Sequence, residues 1–259
     1  MSDRKLTAAL ACRVQGTRLY GKPMQNLEPG AMILDFILAG ITAAPEISTA
    51  VLGIAEGSEN LCFANVAEKH GAGHIFGDEK DVLKRLIQCG RAAGASDVFR
   101  ITTECPFICW EALPEAWSRH VVENRDITTV DHVSEGVGFE IYRLDVLERC
   151  WDLAADDQRS EYANNYPRTH QNEFNVLVIK PEAPLDRMDF RLTVDYPEDL
   201  VVCRKIYAAL KKHGSHIPLS EIYAYCDANP ELMELVSEYA VPGLVWEGVG
   251  ADVGLSEKI

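Results

Sequence analysis

The sequence predicts an α/β protein in which helices cover both faces of a sheet of mostly parallel strands. Short apolar runs rich in β-forming residues alternate with helical segments along the first hundred residues, and this alternation is typical of parallel βαβ units. The 259 residues are enough for one substantial core. We therefore expect a single domain over residues 1–259, built as a three-layer sandwich.

The predicted elements of the first half follow one another regularly. Apolar runs predict buried strands at 6–11 and 49–55, and further strands are predicted at 73–77 and 97–102. Helical spacing of apolar residues predicts helices at 31–43, 60–70, 78–94 and 114–123. The helix at 78–94 is acidic at its start and basic in its body, as the helix dipole prefers. Residues 26–30 have the composition of a turn.

The alternation weakens after Cys105. Strands are predicted at 126–131, 138–143, 174–179 and 189–194, and helices at 144–154, 197–212, 219–226 and 230–239. One apolar face is predicted for the helix at 197–212, formed by Leu200, Val201, Ile206, Tyr207 and Leu210. The region at about 126–190 interrupts the βαβ order, so we interpret it as a small inserted lobe for substrate or dimer contacts. The glycine-rich tail, 243–259, receives no assignment.

Composition excludes several classes of protein. The chain has 25 basic and 40 acidic residues, a net charge of −15, which argues against general binding of nucleic acid or of anionic membranes. The start of the sequence lacks the apolar core of a signal peptide, and no apolar run approaches the length of a membrane span. Eight scattered cysteines without zinc spacing indicate reduced, mostly buried thiols. We expect a cytoplasmic protein without nucleic-acid or membrane partners.

A cationic loop at 12–23 follows the first predicted strand. Two arginines, one lysine and two glycines lie within ten positions: Arg13, Gly16, Arg18, Gly21 and Lys22. In open α/β sheets ligands bind at the carboxyl ends of strands, glycines let the backbone approach a ligand, and fixed cations suit a polyphosphate. The alternative is a solvated basic turn. Positive charge concentrated in so acidic a chain favours the phosphate site.

This loop resembles the signature A-R-x-x-S-T-R-L-P-G-K-P-L of 3-deoxy-manno-octulosonate cytidylyltransferases. It is equally similar to the loop of the spore coat polysaccharide biosynthesis protein F family of cytidylyltransferase-like proteins. The matching positions are Arg13, Thr17, Arg18, Leu19, Gly21, Lys22 and Pro23, whereas Cys12, Gly16 and Tyr20 stand where the family has Ala, usually Ser, and Pro. Two further segments match: 100–106 resembles R-I-T-G-D-C-P, and 191–200 resembles R-L-T-V-D-T-P-E-D-L. The similarity spans about residues 5–240.

The resemblance implies a GT-A-like, Rossmann-like fold of the nucleotide-diphospho-sugar transferase type. It implies an enzyme that joins CTP to an acidic sugar, a 3-deoxy-2-ulosonic acid of eight or nine carbons, and releases pyrophosphate for cell-surface polysaccharide synthesis. The implied catalytic cations are Arg13 and Lys22. The implied nucleotide contacts are Cys12, Arg13, Gly16, Thr17, Arg18, Lys22, Gly77 and Asp78.

Two carboxylates are the implied ligands of Mg²⁺, the expected cofactor. Glu104 stands where the family has Asp, and Asp195 follows the predicted strand at 189–194. Carboxylate oxygens suit this hard cation, and both residues follow strands, so the resemblance brings them to one edge of the sheet. The alternatives are a solvated carboxylate at Glu104 and a helix N-cap at Asp195.

The residues that would contact the sugar are indicated less clearly by the resemblance. The candidates are Glu140, Arg159, Arg168 and His170. Gly138 replaces a family Asp and Tyr162 replaces a family His, so the identity of the sugar is left open. The choice of cytosine as the nucleobase is based on analogy alone. A homodimer is expected. Two other functions stay open: a glycosyltransferase that consumes a nucleotide sugar, and a non-catalytic nucleotide-binding homologue.

Overall fold

The computed structural model describes residues 4–155, 164–240 and 246. Within these residues seven strands form one sheet in the order β5-β4-β1-β6-β8-β7-β9, and β2 pairs with β3 in a separate hairpin. The strands are β1 Leu6–Cys12, β2 Asn26–Glu28, β3 Ala31–Met32, β4 Thr49–Ala55, β5 Gly73–Gly77, β6 Asp97–Arg100, β7 Ile127–Val130, β8 Glu140–Arg143 and β9 Val176–Ile179.

Helices cover both faces of this sheet, so the predicted three-layer α/β fold is confirmed. They are α1 Ile33–Ala43, α2 Cys62–Lys69, α3 Val82–Ala93, α4 Leu113–Val122, α5 Leu144–Leu153, α6 Asn165–Thr169, α7 Pro197–Leu210, α8 Leu219–Ala228 and α9 Glu231–Val236. Strand side chains alternate between the faces, and in β1 Leu10 joins the core under α1 and α7, whereas Ala9 joins the core under α3 and α5.

One strand runs against the others, which makes the sheet mixed. β8 pairs antiparallel with β6 and β7, while β1, β4, β5 and β6 are parallel to one another and β7 is parallel to β9. The first residue of β8, Glu140, therefore lies at the edge where the parallel strands end. The region at about 126–190 contributes three strands to the central sheet itself, and the role expected for it in substrate or dimer contacts stays a prediction.

The predicted strand at 189–194 is wrong. Its segment forms only an isolated bridge between Glu135 and Arg191. Two of its amide groups donate to loop carbonyls, Leu192 to Glu135 and Val194 to Glu104. Because these partners are loops that follow β7 and β6, the segment crosses the carboxyl edge of the sheet and does not extend it.

Several boundaries also shift. Residues 31–32 form β3, so α1 begins at Ile33. Helix α3 begins at Val82 because the Asp78 carboxylate accepts hydrogen bonds from two later amides and Asp81 caps the helix. In α7, Val201 is 40% exposed and does not share the buried face of Leu200 and Ile206.

Two expectations from the sequence concern the cysteines and the membrane-spanning segments. All eight cysteines lie in the described ranges; none forms a disulfide, and all except Cys62 are buried. Among the described residues there is no helix with the length and apolar character that crossing a bilayer requires.

A buried polar network at the amino edge of the sheet makes stability depend on pH. His120 is fully buried; its Nδ1 lies 2.8 Å from Thr128 Oγ1 and its Nε2 lies 3.1 Å from Asp97 Oδ1. Burial lowers the pKa of His120, although Asp97 opposes this shift. The folded protein therefore keeps the imidazole neutral at a pH where the unfolded chain, with a pKa of about 6.5, binds a proton.

We predict that the free energy of unfolding falls as the pH drops below about 6.5 towards the lowered pKa of His120. Urea unfolding at about pH 7.5 and 5.5 should show this loss, and His120→Gln should reduce it. His213→Gln, at an exposed position, is the control and should behave like the parent. An equal loss in His120→Gln and the parent would contradict the assignment to His120.

Candidate active site

The cationic loop leaves the carboxyl end of β1 and is fixed by hydrogen bonds at its start and at its end. The amide of Val14 donates to Asn60 Oδ1 at 2.8 Å, and the amide of Gly21 donates to the Val14 carbonyl at 2.8 Å. Asn60 is fully buried, and Gly21 has a φ of 62°, which favours glycine. The loop is thus held in one conformation by its own backbone and by Asn60, a residue that the sequence analysis missed.

Gly16 has a steric reason to differ from the family serine. A Cβ atom at this position would lie 2.4 Å from the Leu19 carbonyl oxygen. Because that oxygen belongs to the backbone of the same loop, a side chain at Gly16 would force the loop to change shape.

Two loop cations face the segment that contains Asp195. Lys22 Nζ lies 2.5 Å from Asp195 Oδ1, and the Arg18 guanidinium lies over the Tyr196 ring, 5.3 Å from its centroid. Burial lowers the pKa of the Arg85 guanidinium, and the charge of the third cation, Arg13, adds to that shift. The triphosphate role of these cations stays a prediction.

Cys12 and Thr17 differ in their access to a ligand. The Cys12 side chain is fully buried below the loop, and burial raises the pKa of its thiol, so a nucleotide contact there is confined to the main chain. Thr17 is exposed on the loop.

The two carboxylates predicted to bind metal belong to segments that contact each other. The amide of Val194 donates to the Glu104 carbonyl at 3.1 Å. Burial raises the pKa of Glu104, and the charge of Asp195 adds to the shift while Lys22 opposes it. Burial alone would raise the pKa of Asp195 too, but Lys22 and Arg191 lower it. The two carboxylates therefore share one electrostatic environment.

A buried arginine fixes the position of Asp195. Arg191, 4% exposed, donates through Nη2 to Asp195 Oδ2 at 3.1 Å and forms a two-pronged ion pair with Asp199 at 2.8 and 3.0 Å. It also donates to Glu135 at 2.6 Å. The N-cap of α7 is Tyr196, whose amide donates to Asp199. Asp195 is therefore directed towards Lys22, and the N-cap interpretation of Asp195 is wrong.

Gly77 and Asp78, the predicted nucleobase contacts, lie at the end of β5, two strands away from β1. Asp78 is exposed, and hydrogen bonds from two nearby amides lower the pKa of its carboxyl. Beside them Arg85 is buried and donates to three backbone carbonyls, Cys12, Gly53 and Glu79, at 2.8 to 3.2 Å. Arg85, whose role was not predicted from the sequence, joins the ends of β1 and β4 to the turn after β5.

Glu140 is buried, and both of its carboxylate oxygens have partners. Arg100 Nη1 donates to Oε2 at 3.0 Å, and Asn164 Nδ2 and Trp246 Nε1 donate to Oε1 at 2.8 and 3.3 Å. Burial would raise the pKa of Glu140, but the charge of Arg100, the hydrogen bond from Asn164 and the charge of Arg168 together outweigh burial, and the net shift of the pKa is downward. Arg168 lies 5.2 Å from the Trp246 ring centroid.

The structure thus brings Glu140 and Arg168 together in an acceptor-side cluster with Arg100, Asn164 and Trp246. His170 instead stacks on Tyr166 with the ring centroids 4.2 Å apart. Arg159 and Tyr162 lie outside the described residues. Arg100 lay inside a matched segment and could have been found there, whereas nothing in the glycine-rich tail indicated Trp246.

Gly138, where the family has Asp, cannot accept that residue in this backbone. A Cβ atom at Gly138 would lie 2.6 Å from the Val130 carbonyl oxygen. We predict that Gly138→Asp lowers the free energy of unfolding by about 1–3 kcal/mol, the usual cost of overpacking. Urea unfolding measures the effect. Gly73→Ala is the control, because its added Cβ would make an ordinary 3.4 Å contact; a Gly138→Asp variant as stable as the parent would refute the steric explanation.

The donor set fits a metal that arrives with a nucleotide. In the described ranges, no group of three or more His, Cys, Asp or Glu residues could hold a metal ion. Mg²⁺, however, commonly takes one or two carboxylates and completes its shell with phosphate oxygens and water. Glu104 and Asp195 supply two hard oxygen donors beside the cationic loop, which is what such a shared site requires.

The chain has a Rossmann-like α/β fold with the cationic loop at the carboxyl end of β1, and this fold is similar to that of solved nucleotidyltransferases. No family model matches it. Its fold is similar to a cytidylyltransferase from Leptospira borgpetersenii, with a TM-score of 0.81 at 19% identity over 89% of this chain and 97% of that one. It is also similar to CMP:2-keto-3-deoxy-manno-octonic acid synthetase complexed with CTP, with a TM-score of 0.62 at 13% identity over 79% and 99% of the chains.

A curated relative extends this likeness to the sequence. Spore coat polysaccharide biosynthesis protein SpsF of Bacillus subtilis is 23% identical over 229 residues, which are 86% of this chain and 94% of that protein. The resemblance to the cytidylyltransferase families is thereby confirmed over most of the chain.

Proposed function

We propose that the protein is a cytidylyltransferase, an enzyme that transfers CMP from CTP to an acidic sugar and releases pyrophosphate. The observation that carries this proposal is the ion pair between Lys22 and Asp195, which joins the cationic loop to a carboxylate at the carboxyl edge of the sheet. Two similar proteins, CMP:2-keto-3-deoxy-manno-octonic acid synthetase complexed with CTP and spore coat polysaccharide biosynthesis protein SpsF, support the substrate classes.

The reaction requires alignment and neutralisation of charge more than covalent chemistry by the protein. A hydroxyl oxygen of the sugar attacks the α-phosphorus of CTP, and the bond from that phosphorus to the β-phosphate oxygen breaks. Arg13, Arg18 and Lys22 hold the phosphates and stabilise the leaving pyrophosphate. Glu104 and Asp195 would hold Mg²⁺, which when bound supplies further positive charge to the phosphates.

In this proposal the cytosine and the acceptor sugar bind at separate places around the cationic loop. Gly77 and Asp78 are proposed to face the cytosine, on the β5 side of the loop. The acceptor-side cluster is proposed to receive the sugar, where Arg168 contributes positive charge suited to a carboxylate. The substrate roles of His170 and Arg159, the homodimer and the cytoplasmic location remain expectations.

Nucleotide choice is the first part of the test. The melting temperature is measured with Mg²⁺ and each of CTP, UTP, ATP and GTP, and CTP should raise it most, because binding to the folded state stabilises that state. Equal stabilisation by all four would leave only a triphosphate site.

Pyrophosphate release is the second part. The protein is incubated with CTP, Mg²⁺ and a panel that includes 3-deoxy-manno-octulosonic acid and N-acetylneuraminic acid, and release above the acceptor-free rate is expected with at least one sugar. Release of a free nucleoside diphosphate from a nucleotide sugar would instead indicate a glycosyltransferase. Binding of CTP without turnover across the panel would indicate a non-catalytic homologue.

A further inference from the structure

An aromatic pair lies beside the candidate phosphate site. The Tyr196 ring stacks on Tyr239 with centroids 3.9 Å apart and planes inclined by 12°. The Arg18 guanidinium lies over the Tyr196 ring, 5.3 Å from its centroid. Tyr196 directly follows Asp195, at a position where the matched segment R-L-T-V-D-T-P-E-D-L has threonine. The chain thus has an aromatic platform where that pattern has a small side chain.

The platform is fixed by the surrounding structure. Tyr196 is the N-cap of α7, and its amide donates to the buried Asp199 carboxylate at 2.9 Å. The Arg191 guanidinium lies 6.0 Å from the same ring. Tyr239 comes from the short 3-10 helix Ser237–Tyr239 that follows α9. Because Tyr196 lies at the start of α7 and Tyr239 at the end of a short 3-10 helix, both elements fix the position of the Tyr196 ring under Arg18.

Contact with the Tyr196 ring reduces the conformational entropy that Arg18 loses when it binds a phosphate. Arg18 is an exposed side chain on a loop, and a free arginine samples many rotamers that it must give up on binding a phosphate. The electron-rich face of a tyrosine attracts a guanidinium and reduces that freedom in advance. Lys22 contacts Asp195 at 2.5 Å, and Arg18 lies over the ring of the next residue, Tyr196, so the platform holds Arg18 on the same side of the loop as Lys22.

We propose that Tyr196 and Tyr239 are positioning residues that hold the Arg18 guanidinium beside Asp195 for binding of the triphosphate. This inference rests on the proposed function, since it assumes that the cationic loop receives phosphates. The tyrosines touch Arg18 and each other, and they act on the ligand only through Arg18.

Calorimetric binding of CTP and of inorganic tripolyphosphate, both with Mg²⁺, tests the proposal. Tyr196→Thr should weaken binding of both probes by about 3- to 10-fold, a range typical of a lost cation–π contact. Tyr196→Phe retains the ring and should stay within about twofold of the parent. Tyr239→Ala leaves the Tyr196 ring in place but unsupported, so its loss should be smaller. Melting temperatures establish that each variant is folded.

A double-mutant cycle separates positioning from a general structural effect. In the Arg18→Ala background, Tyr196→Thr should cause no further loss, because the residue that it positions is gone. If turnover is found, the KM for CTP should rise in Tyr196→Thr while the KM for the sugar acid stays unchanged.

The outcomes are distinct. Binding by Tyr196→Thr equal to the parent, or a loss that persists in the Arg18→Ala background, overturns the positioning role and leaves the proposed function intact. Failure of the parent itself to bind CTP and tripolyphosphate overturns the proposed function, and the positioning role with it.

Discussion

Asp195→Asn should reduce metal-dependent release of pyrophosphate from CTP by about 100- to 1,000-fold, the loss typical of removing one preorganised electrostatic group. The Asp195 carboxylate lies 2.5 Å from Lys22 and 3.1 Å from Arg191, so its charge is set between the loop and the buried ion-pair network. The amide has nearly the same shape but no charge. The fold should therefore persist, with Arg191 still bound by Asp199 and Glu135.

Steady-state kinetics and urea unfolding of the same variant measure the two effects. Asp189→Asn is the matched control, because Asp189 is also paired with an arginine, Arg187, but its side chain is 57% exposed. It should retain parental activity. Full activity in Asp195→Asn would remove Asp195 from the site, whereas unfolding of the variant would assign it a structural role.

From the same ion pair we predict that removing the Lys22 side chain has opposite effects on the affinities for Mg²⁺ and for the nucleotide. Without a nucleotide, Lys22 neutralises Asp195, so it competes with Mg²⁺ for that carboxylate. Lys22→Ala should therefore raise the affinity for Mg²⁺ in the absence of nucleotide while weakening triphosphate binding by about 1.5–3 kcal/mol. Calorimetry with Mg²⁺ alone gives a readout that does not depend on turnover, and a weaker Mg²⁺ affinity in Lys22→Ala would contradict the competition.

Arg191→Met should lower the free energy of unfolding by about 3–5 kcal/mol, the range for breaking a buried ion pair from one side. Arg191 is 4% exposed and Asp199 is 1% exposed, and methionine would leave the Asp199 and Glu135 carboxylates without their guanidinium. Asp199 would keep its two backbone donors, but two amides do not replace a full positive charge in a buried site. Urea unfolding near pH 7 measures the loss.

Arg119→Met is the matched control for this prediction. Arg119 also pairs with two carboxylates, Glu115 and Glu123, but its side chain is 41% exposed. Surface ion pairs of this kind contribute about 0–1 kcal/mol. A similar small loss in Arg191→Met would mean that the buried network contributes little to stability and serves mainly to orient Asp195.

The resemblance of three short segments, together with the alternation of strands and helices, sufficed to predict the fold. β4 and β5 were predicted with the bounds that the structure shows, because their β-forming runs end clearly, at the charged Glu56 after β4 and at Gly77 in β5. The prediction failed at 189–194, which has the same apolar character. Burial alone does not specify pairing, and the main-chain partners of this segment are loops at Glu104 and Glu135.

Residue types and their order along the chain specify which charges lie beside the ends of the strands: the cationic loop, Glu104 and Asp195. The pairing of those charges depends on how the folded chain brings distant segments together. The contact of Lys22 with Asp195 spans 173 positions of sequence, and that of Trp246 with Glu140 spans 106. Spacing patterns report on neighbours within one helix or strand, whereas such contacts arise where distant loops meet at one edge of the sheet. Gly16 and Gly138 depart from the family residues in the sequence, and the structure shows carbonyl oxygens in the space that a side chain at either position would need.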